Sequence, residues 1–455
     1  MSSPTQSNSG LCGPPSVSSC ERIERRVDFS PWRVFLSEPV VLPEASASPA
    51  APARVPPSWI VGLALFPFGL VVGFTITALP FLLTRQGIPL GRVASTSAVV
   101  MSPTFWGFLL CPVLDTGLTR RAYCWILAVV SAVCMAAALG VLSPTRLGLT
   151  TALLLAAELG MVMYANAANG WMAEFLPDNM RGSVAGWTNV ANLGGGAAGS
   201  MAVMALAPHM RMEWIGLGMA ACIVLGVLPT MVFPASRRSA FKFKQVFTET
   251  LKTTWAASRK RECLVGFALF LAPVGACAGI NLFAGLGPNF HVSEGMVVLI
   301  TGAGAAVATS VGALAGGYAA NHVNRGYLYL GASACIVVVS LTLALTGHTL
   351  EAFIAGVLIY NALTGVVYAA FNSLAFQLVG RTSAVASTQL GLFTAAINAA
   401  VVYMTWADGR GFQGFGVRGL FLVDALASAA ALVPLFLLVR RQLRSPAEAA
   451  EAAVA

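Results

Sequence analysis

Charge is what this sequence has least of. Only 10% of its 455 residues are charged, against 57% hydrophobic, and the mean hydropathy is +0.77. A water-soluble chain of this length carries about a quarter charged residues, so water is not its main solvent. Histidine is also scarce. The four present (His209, His291, His322, His348) fall in breaks between apolar runs, with no HExxH and no Ser/His/Asp set, which argues against an enzyme. Nine cysteines form no CxxC pair, and seven of them lie in or beside apolar stretches. They read as small core hydrophobes, with no disulfide or metal framework and no cofactor implied. The glycine run Gly194-Gly195-Gly196 with Gly199 lies inside an apolar segment and lacks a Walker lysine, so it is not a phosphate loop. No charged-then-apolar leader opens the chain. Residues 1–57, rich in Ser, Pro and Ala, read as a disordered tail.

Apolar runs are what is abundant. A helix needs about 20 apolar residues to cross the hydrocarbon core. By that measure the sequence offers twelve spans: 59–83, 93–113, 122–142, 148–172, 182–206, 214–233, 263–287, 297–320, 327–346, 351–378, 384–406 and 418–439. An even count places both termini on one side. With the N-terminus in the cytoplasm, 21 of the 27 basic residues fall in inside loops and tails, which fixes the orientation by the positive-inside rule. That rule also accounts for the net charge of +9 without any nucleic acid. The expected fold is an all-α membrane protein with twelve transmembrane helices in two pseudo-symmetric six-helix bundles. Its parts are a tail at 1–57, a first bundle at 58–233, a basic cytoplasmic linker at 234–262, a second bundle at 263–440 and a cytoplasmic C-terminal tail at 441–455. A multi-pass protein of the inner membrane follows, expected as a monomer among lipid.

The halves repeat weakly, as related bundles should. Cys111-Pro-Val-Leu-Asp115-Thr-Gly-Leu-Thr-Arg120-Arg121 follows span two, and Gly317-Tyr-Ala-Ala-Asn321-His-Val-Asn-Arg325 follows span eight. A carboxylate at a cytoplasmic helix end can pair with a nearby arginine and with the positive N-terminus of a neighbouring helix. Asp115, Arg120, Arg121 and Arg325 are therefore gating candidates, although Asn321 replaces the acid in the second half. Arg181 and Arg381, each between two spans and followed by small residues, join that set. Small residues let helices approach closely in lipid.

An ionisable group in hydrocarbon costs about 2.5 to 3.5 kcal/mol on insertion scales, so it signals function. Two acids lie well inside spans: Glu158 in span four and Asp424 in span twelve, the candidates for proton coupling. Glu351 and Asp408 read as interfacial. Span ten carries a polar stripe of Asn361, Thr364, Tyr368 and Asn372, which cannot all face lipid. Asn166 and Asn169 in span four, Asn189 and Asn192 in span five, Asn281 in span seven and Gln389 in span eleven add amides from both halves. Together they suit a cavity that hydrogen-bonds a small polar solute.

These residues resemble the AmpG-like muropeptide permeases, in the peptide/acetyl-CoA/drug transporter branch of the major facilitator superfamily. The resemblance covers about residues 59–439 and rests on Phe108-Leu-Leu-Cys-Pro-Val-Leu-Asp115, Trp171-Met-Ala-Glu-Phe-Leu-Pro177 with Arg181-Gly182, Gly312-Ala-Leu-Ala-Gly-Gly317, and the stretch from Asn361 to Gln389. It implies a proton-coupled symporter of a muropeptide or sugar-peptide, working by alternating access. The family's span-four acids are Asn166 and Asn169 here, and amides do not titrate, so coupling passes to another acid or is absent. Two alternatives stand beside this: a drug or metabolite efflux facilitator, and a transport-dead membrane receptor or sensor.

Overall fold

The computed structural model describes residues 55–115, 117–235, 261–380 and 385–443. Among them every regular element is helical, and no strand occurs. Nine helices among the described residues are long and apolar enough to cross a membrane. We number the passes in chain order. The first six are α1 (Ser58–Arg85), α2 (Ser95–Asp115), α3 (Arg120–Gly140), α4 (Pro144–Phe175), α5 (Asp178–Leu206) and α6 (Met212–Val232). The second six are α7 (261–290), α8 (Gly295–His322), α9 (Arg325–Leu345), α10 (Leu350–Val379), α11 (386–414) and α12 (417–443). The twelve expected segments each correspond to one of these.

The differences from a plain hydropathy reading have local causes. The helix Ala386–Leu443 is continuous by hydrogen bonding but turns at Phe415 and Gly416, where Gly416 takes φ 63, so it makes two passes. α11 therefore runs on to residue 414, beyond the expected end at 406. α5 is glycine-rich, and that dilution of apolar side chains keeps it out of the nine. α7 was expected as one helix over 263–287. It is broken instead: helix Arg261–Leu271 gives way to a turn over 272–277 and then short helical turns at Ala278–Asn281, Phe283–Leu286 and Gly287–Phe290. Pro273 and Gly275 (φ 81) lie at the break, and Cys277 adopts a left-handed φ of 52. Backbone groups freed inside a membrane must be satisfied by protein. Tyr403 donates to the Leu271 carbonyl (2.7 Å) and Tyr329 to that of Val274 (2.8 Å), while the Gly279 N–H donates to the Tyr360 hydroxyl (3.2 Å).

α1 is irregular in a related way. It is interrupted at Ala64–Leu65 before Pro67, and Tyr164 of α4 donates to the Ala64 carbonyl at 2.6 Å. A π-helical turn at Phe74–Ala78 follows. Such bulges insert a residue and re-aim the side chains beside it. Here the bulge carries Thr75, which faces α4.

Glycines set the close helix approaches. A Cβ on Gly73 would collide with the backbone of Gly196, and one on Gly312 with that of Ala362, so α1 packs on α5 and α8 on α10 backbone to backbone. Across the halves, Gly182 and Gly186 of α5 meet Gly317 of α8 in the same manner. Of the expected parts, residues 1–54 of the tail, 236–260 of the linker and 444–455 of the C-terminal tail lie outside the described residues, as does Arg381.

Candidate functional site

At the end of the bundle where α2 stops and α11 starts, the halves are joined by Asp115. Its side chain is 1% exposed. Oδ1 accepts from Arg120 Nη2 at 2.9 Å and from the Ser387 backbone N–H at 3.2 Å. Oδ2 accepts from the Thr388 backbone N–H at 3.1 Å and its hydroxyl at 2.8 Å. A carboxylate at the first N–H groups of a helix satisfies donors that have no intrahelical partner and meets the positive end of the dipole. The tight fit needs two glycines. A Cβ on Gly170 of α4 would strike Ser387 and Arg120, and one on Gly391 of α11 would press on Cys111 and Asn166. Arg120 also reaches Glu174 at 3.4 Å.

The pseudo-two-fold counterpart joins α8 to α5. Asn321 Oδ1 accepts from the Gly182 N–H at 2.8 Å, and its Nδ2 donates to Ser183 Oγ at 2.6 Å. Arg325 donates to Gln377 Oε1 (2.7 Å) and to the Asp178 carbonyl (2.7 Å). An amide thus occupies the place that an acid holds in the first half. It bridges the same kind of helix start with neutral bonds, which are about half as strong as charge-assisted ones. Arg181 is buried and pairs with Asp178 at 2.9 Å. Arg121 does different work: it stacks over Trp171 (5.4 Å) and donates to the Phe233 carbonyl at 2.7 Å, closing the C-terminus of α6 within the first half.

The interior polar residues divide into bonded and free. Asn361 donates to the Val357 carbonyl and accepts from Thr309 of α8 at 3.2 Å, and Thr364 bonds back to the Tyr360 carbonyl. Asn166 and Asn189 likewise bond to the carbonyl four residues before them. Tyr368, Asn372, Asn169 and Asn192 are half-buried, with no side-chain hydrogen-bond partner among the described residues, so their polar groups are available to a solute. Gln389 is buried near the start of α11. Asn281 is exposed and donates to Thr405 at 3.2 Å. The span-ten stripe is therefore half helix-to-helix bonding and half free surface.

Glu158 is fully buried. Its Oε2 accepts from Thr75 at 3.2 Å, and among the described residues Oε1 has no partner and no cation faces the carboxyl. Asp424, also buried, accepts at Oδ2 from Ser340 (2.6 Å) and Tyr360 (3.2 Å). Asp408, read as interfacial, is 0% exposed and packed within the protein on an α11 that runs past its expected end. The cysteine reading also needs adjusting, since Cys222 and Cys335 are exposed on helix surfaces. Among the described residues no group of three or more His, Cys, Asp or Glu is placed to hold a metal ion.

Comparison with solved structures decides the architecture. The human organic anion transporter MFSD10 (TETRAN) superposes with a TM-score of 0.61 at 18% identity, over 84% of this chain and 100% of that one. The proton:xylose symporter XylE bound to 6-bromo-6-deoxy-D-glucose gives 0.59 at 13% identity, over 83% and 95%. The chain has the major facilitator fold. A double tryptophan mutant of XylE agrees, with a TM-score of 0.62 at 14% identity over 84% and 94%. A sequence-family model described as Major Facilitator Superfamily matches residues 13–200. No curated protein shows a significant match. Both half-to-half junctions join the end of an even-numbered pass (α2, α8) to the start of an odd-numbered one (α11, α5), which in passes of alternating direction is the same end of the bundle.

Proposed function

We propose that the chain is a secondary active transporter that moves a small polar solute by alternating access, coupled to protons. The observation that carries this reading is the paired junction at one end. Asp115 on the start of α11 and Asn321 on α5 join one half to the other through polar side-chain bonds beside close glycine contacts. Such junctions can open without unfolding either half. The free amides and hydroxyl of Asn169, Asn192, Tyr368 and Asn372 offer neutral hydrogen bonding between the halves, which suits a sugar or a peptide. The muropeptide class is the finer proposal, drawn from the sequence resemblance. The end closed by Asp115 is the cytoplasmic end on the distribution of basic residues.

Coupling is assigned to Glu158. Glu158 is the acid buried within α4, where Thr75 of the α1 π-turn donates to one carboxyl oxygen and the other has no partner among the described residues, and an ionisable group at such a place signals function. Proteoliposomes loaded or bathed with labelled muropeptide, sugar or cationic dye, with and without an imposed pH gradient, test the proposal. Accumulation of a polar solute under the gradient is the expected result. Movement of none of them in either direction would sink it. Export of an organic anion or drug is the second reading, favoured by the likeness to an organic anion transporter, and the same assay run for efflux separates the two.

A further inference from the structure

The α11–α12 hairpin holds a second carboxyl that the transport reading does not use. Asp408 lies four residues beyond Met404 and eight beyond Ala400, and those two pack on Ala276 and Ala278 in the broken part of α7. One face of α11 thus runs along the break and ends at Asp408. Both Asp408 carboxyl oxygens are buried and without a hydrogen-bond partner among the described residues. The charged neighbour it faces is Asp424.

The hairpin explains why they meet. The turn at Phe415–Gly416 lies between them, and at ~1.5 Å per helical residue the two acids sit at a common depth, roughly 12 Å from it. Gly411 and Gly419 bring the helices into backbone contact, since a Cβ on either would collide with the carbonyl of the other. Around the pair stand Ser340 of α9 and Tyr360 of α10, both donating to Asp424, with Tyr360 linked onward to Gly279 of α7. The other titratable side chain within electrostatic range of this cluster is Cys277 at the break. No lysine, arginine or histidine faces either carboxyl among the described residues.

Two facing carboxylates in a dry interior cannot both stay ionised without a compensating positive charge. Asp424 has two hydroxyl donors, an environment fitted to an ionised group. Asp408 has none, so its oxygens are left for a ligand. We propose that Asp408 and Asp424 form a monovalent-cation site, set in the α11–α12 hairpin against the break in α7 and separate from Glu158. A proton bridging the two carboxyls and a Na⁺ held between them supply the same charge. The site is defined without reference to the solute, and it can be tested on protein that transports nothing in the assay above.

Purified protein in detergent, without solute, distinguishes the two sources. In the first arm Na⁺ replaces choline at constant ionic strength in weak buffer containing a pH-indicator dye. If Na⁺ is the ion, its addition releases a proton from the wild type and none from Asp408→Asn or Asp424→Asn. In the second arm infrared difference spectra are taken across an alkaline titration in choline. If the proton is the ion, Na⁺ has no effect, while the wild type shows a protonated-carboxyl stretch that disappears on alkalinisation and is absent from the Asp408→Asn, Asp424→Asn double variant. A wild type that matches the double variant in both arms overturns the proposal. Should the acid variants fail to fold, Ser340→Ala removes a donor from Asp424 alone. It must then shift the Na⁺ concentration or the pH of the response, and an unmoved response overturns the proposal equally.

Discussion

Asp115→Asn should open the end of the molecule that Asp115 now holds shut. The carboxylate accepts four hydrogen bonds: one from the Arg120 guanidinium, two from backbone N–H groups at the start of α11, and one from the Thr388 hydroxyl. The amide that replaces it keeps one acceptor, and it turns an NH₂ toward groups that are themselves donors. Bonds to a charged group contribute about 1.5 to 3 kcal/mol each, and a charge at a helix N-terminus adds about 0.3 to 1. The Arg120 bond lies within the first half and persists on opening, so the three bonds to α11 carry the difference. A net loss of about 3 kcal/mol is then a shift of roughly a hundredfold or more in the closed-to-open ratio. Spin labels at Leu118→Cys and Val323→Cys, exposed positions of opposite halves near this end, report the separation by pulsed dipolar spectroscopy. The mutant should show a longer distance component that the wild type lacks. Thr388→Val, which removes one bond of the four, should produce a smaller population of the same component. Superimposable distance distributions for all three proteins, with unchanged transport, would refute the junction's part in gating and reduce Asp115 to a packing residue.

The remaining predictions concern other parts of the same scheme. Gly317→Val should also lengthen that distance, because its side chain would collide with the Gly182 and Gly186 backbones of the other half. A normal distance would mean that α5 and α8 do not meet in solution. Glu158→Gln should leave counterflow intact and abolish accumulation driven by a pH gradient, and wild-type accumulation would move coupling to another acid or remove it. Tyr360→Phe strips the hydroxyl that links Gly279 to Asp424 and should cost about 1 to 3 kcal/mol for the buried groups left unpaired, read as a lower thermal midpoint in detergent. External labelling should modify a cysteine at Ser293 and spare one at Ser239 in a background without native thiols. The reverse would invert the topology.

Much of the fold is legible because the bilayer simplifies the problem. Long apolar runs and the location of basic residues depend on composition over 20 residues, and they survive small errors in any one boundary. The motif around Asp115 was legible for a similar reason: an acid at a helix end has few partners available other than a nearby arginine and a helix start. What hydropathy does not encode is backbone departure from the helix. The sequence 272–282 is as apolar as its surroundings, so its break is visible only as Pro273 and Gly275, a weak signal in transmembrane helices that tolerate both. The expected end of α11 at 406 fell short for the same reason. Arg410 and Gly409 suggest a loop, but the chain stays helical to residue 414, and Asp408 is buried by the protein around it. Nor can sequence say which amides face each other. Asn361 and Asn372 are equivalent letters in one stripe, and only the approach of α8 through Gly312 and Gly365 brings Thr309 to the first and leaves the second free.

The two halves solve one physical problem in parallel and then diverge. Each begins with an irregular helix, α1 or α7, and each steadies it with a tyrosine hydroxyl from the fourth helix of its bundle, Tyr164 to the Ala64 carbonyl and Tyr360 to the Gly279 N–H. Beside the irregular helix each half buries acid: Glu158 against Thr75 of the π-turn in the first, Asp408 and Asp424 against the α7 break in the second. An irregular backbone inside a membrane is tolerated where it lines a site or is wrapped by protein, and an unpaired acid there is retained at a cost in stability. The irregular helices α1 and α7 are pseudo-equivalent, while the acids beside them lie on different helices, α4 in the first half and α11 and α12 in the second. The difference between the halves then carries the functional content. The first half keeps a charged junction at Asp115 and a lone interior acid, while the second has a neutral junction at Asn321 and a pair of acids that needs a cation. Opening the end held by Asp115 breaks carboxylate bonds to the start of α11 on one side, and on the other the amide bonds of Asn321 and the bond from the Arg325 guanidinium to the Asp178 carbonyl, so the two sides differ in the sign of the charge that crosses between the halves.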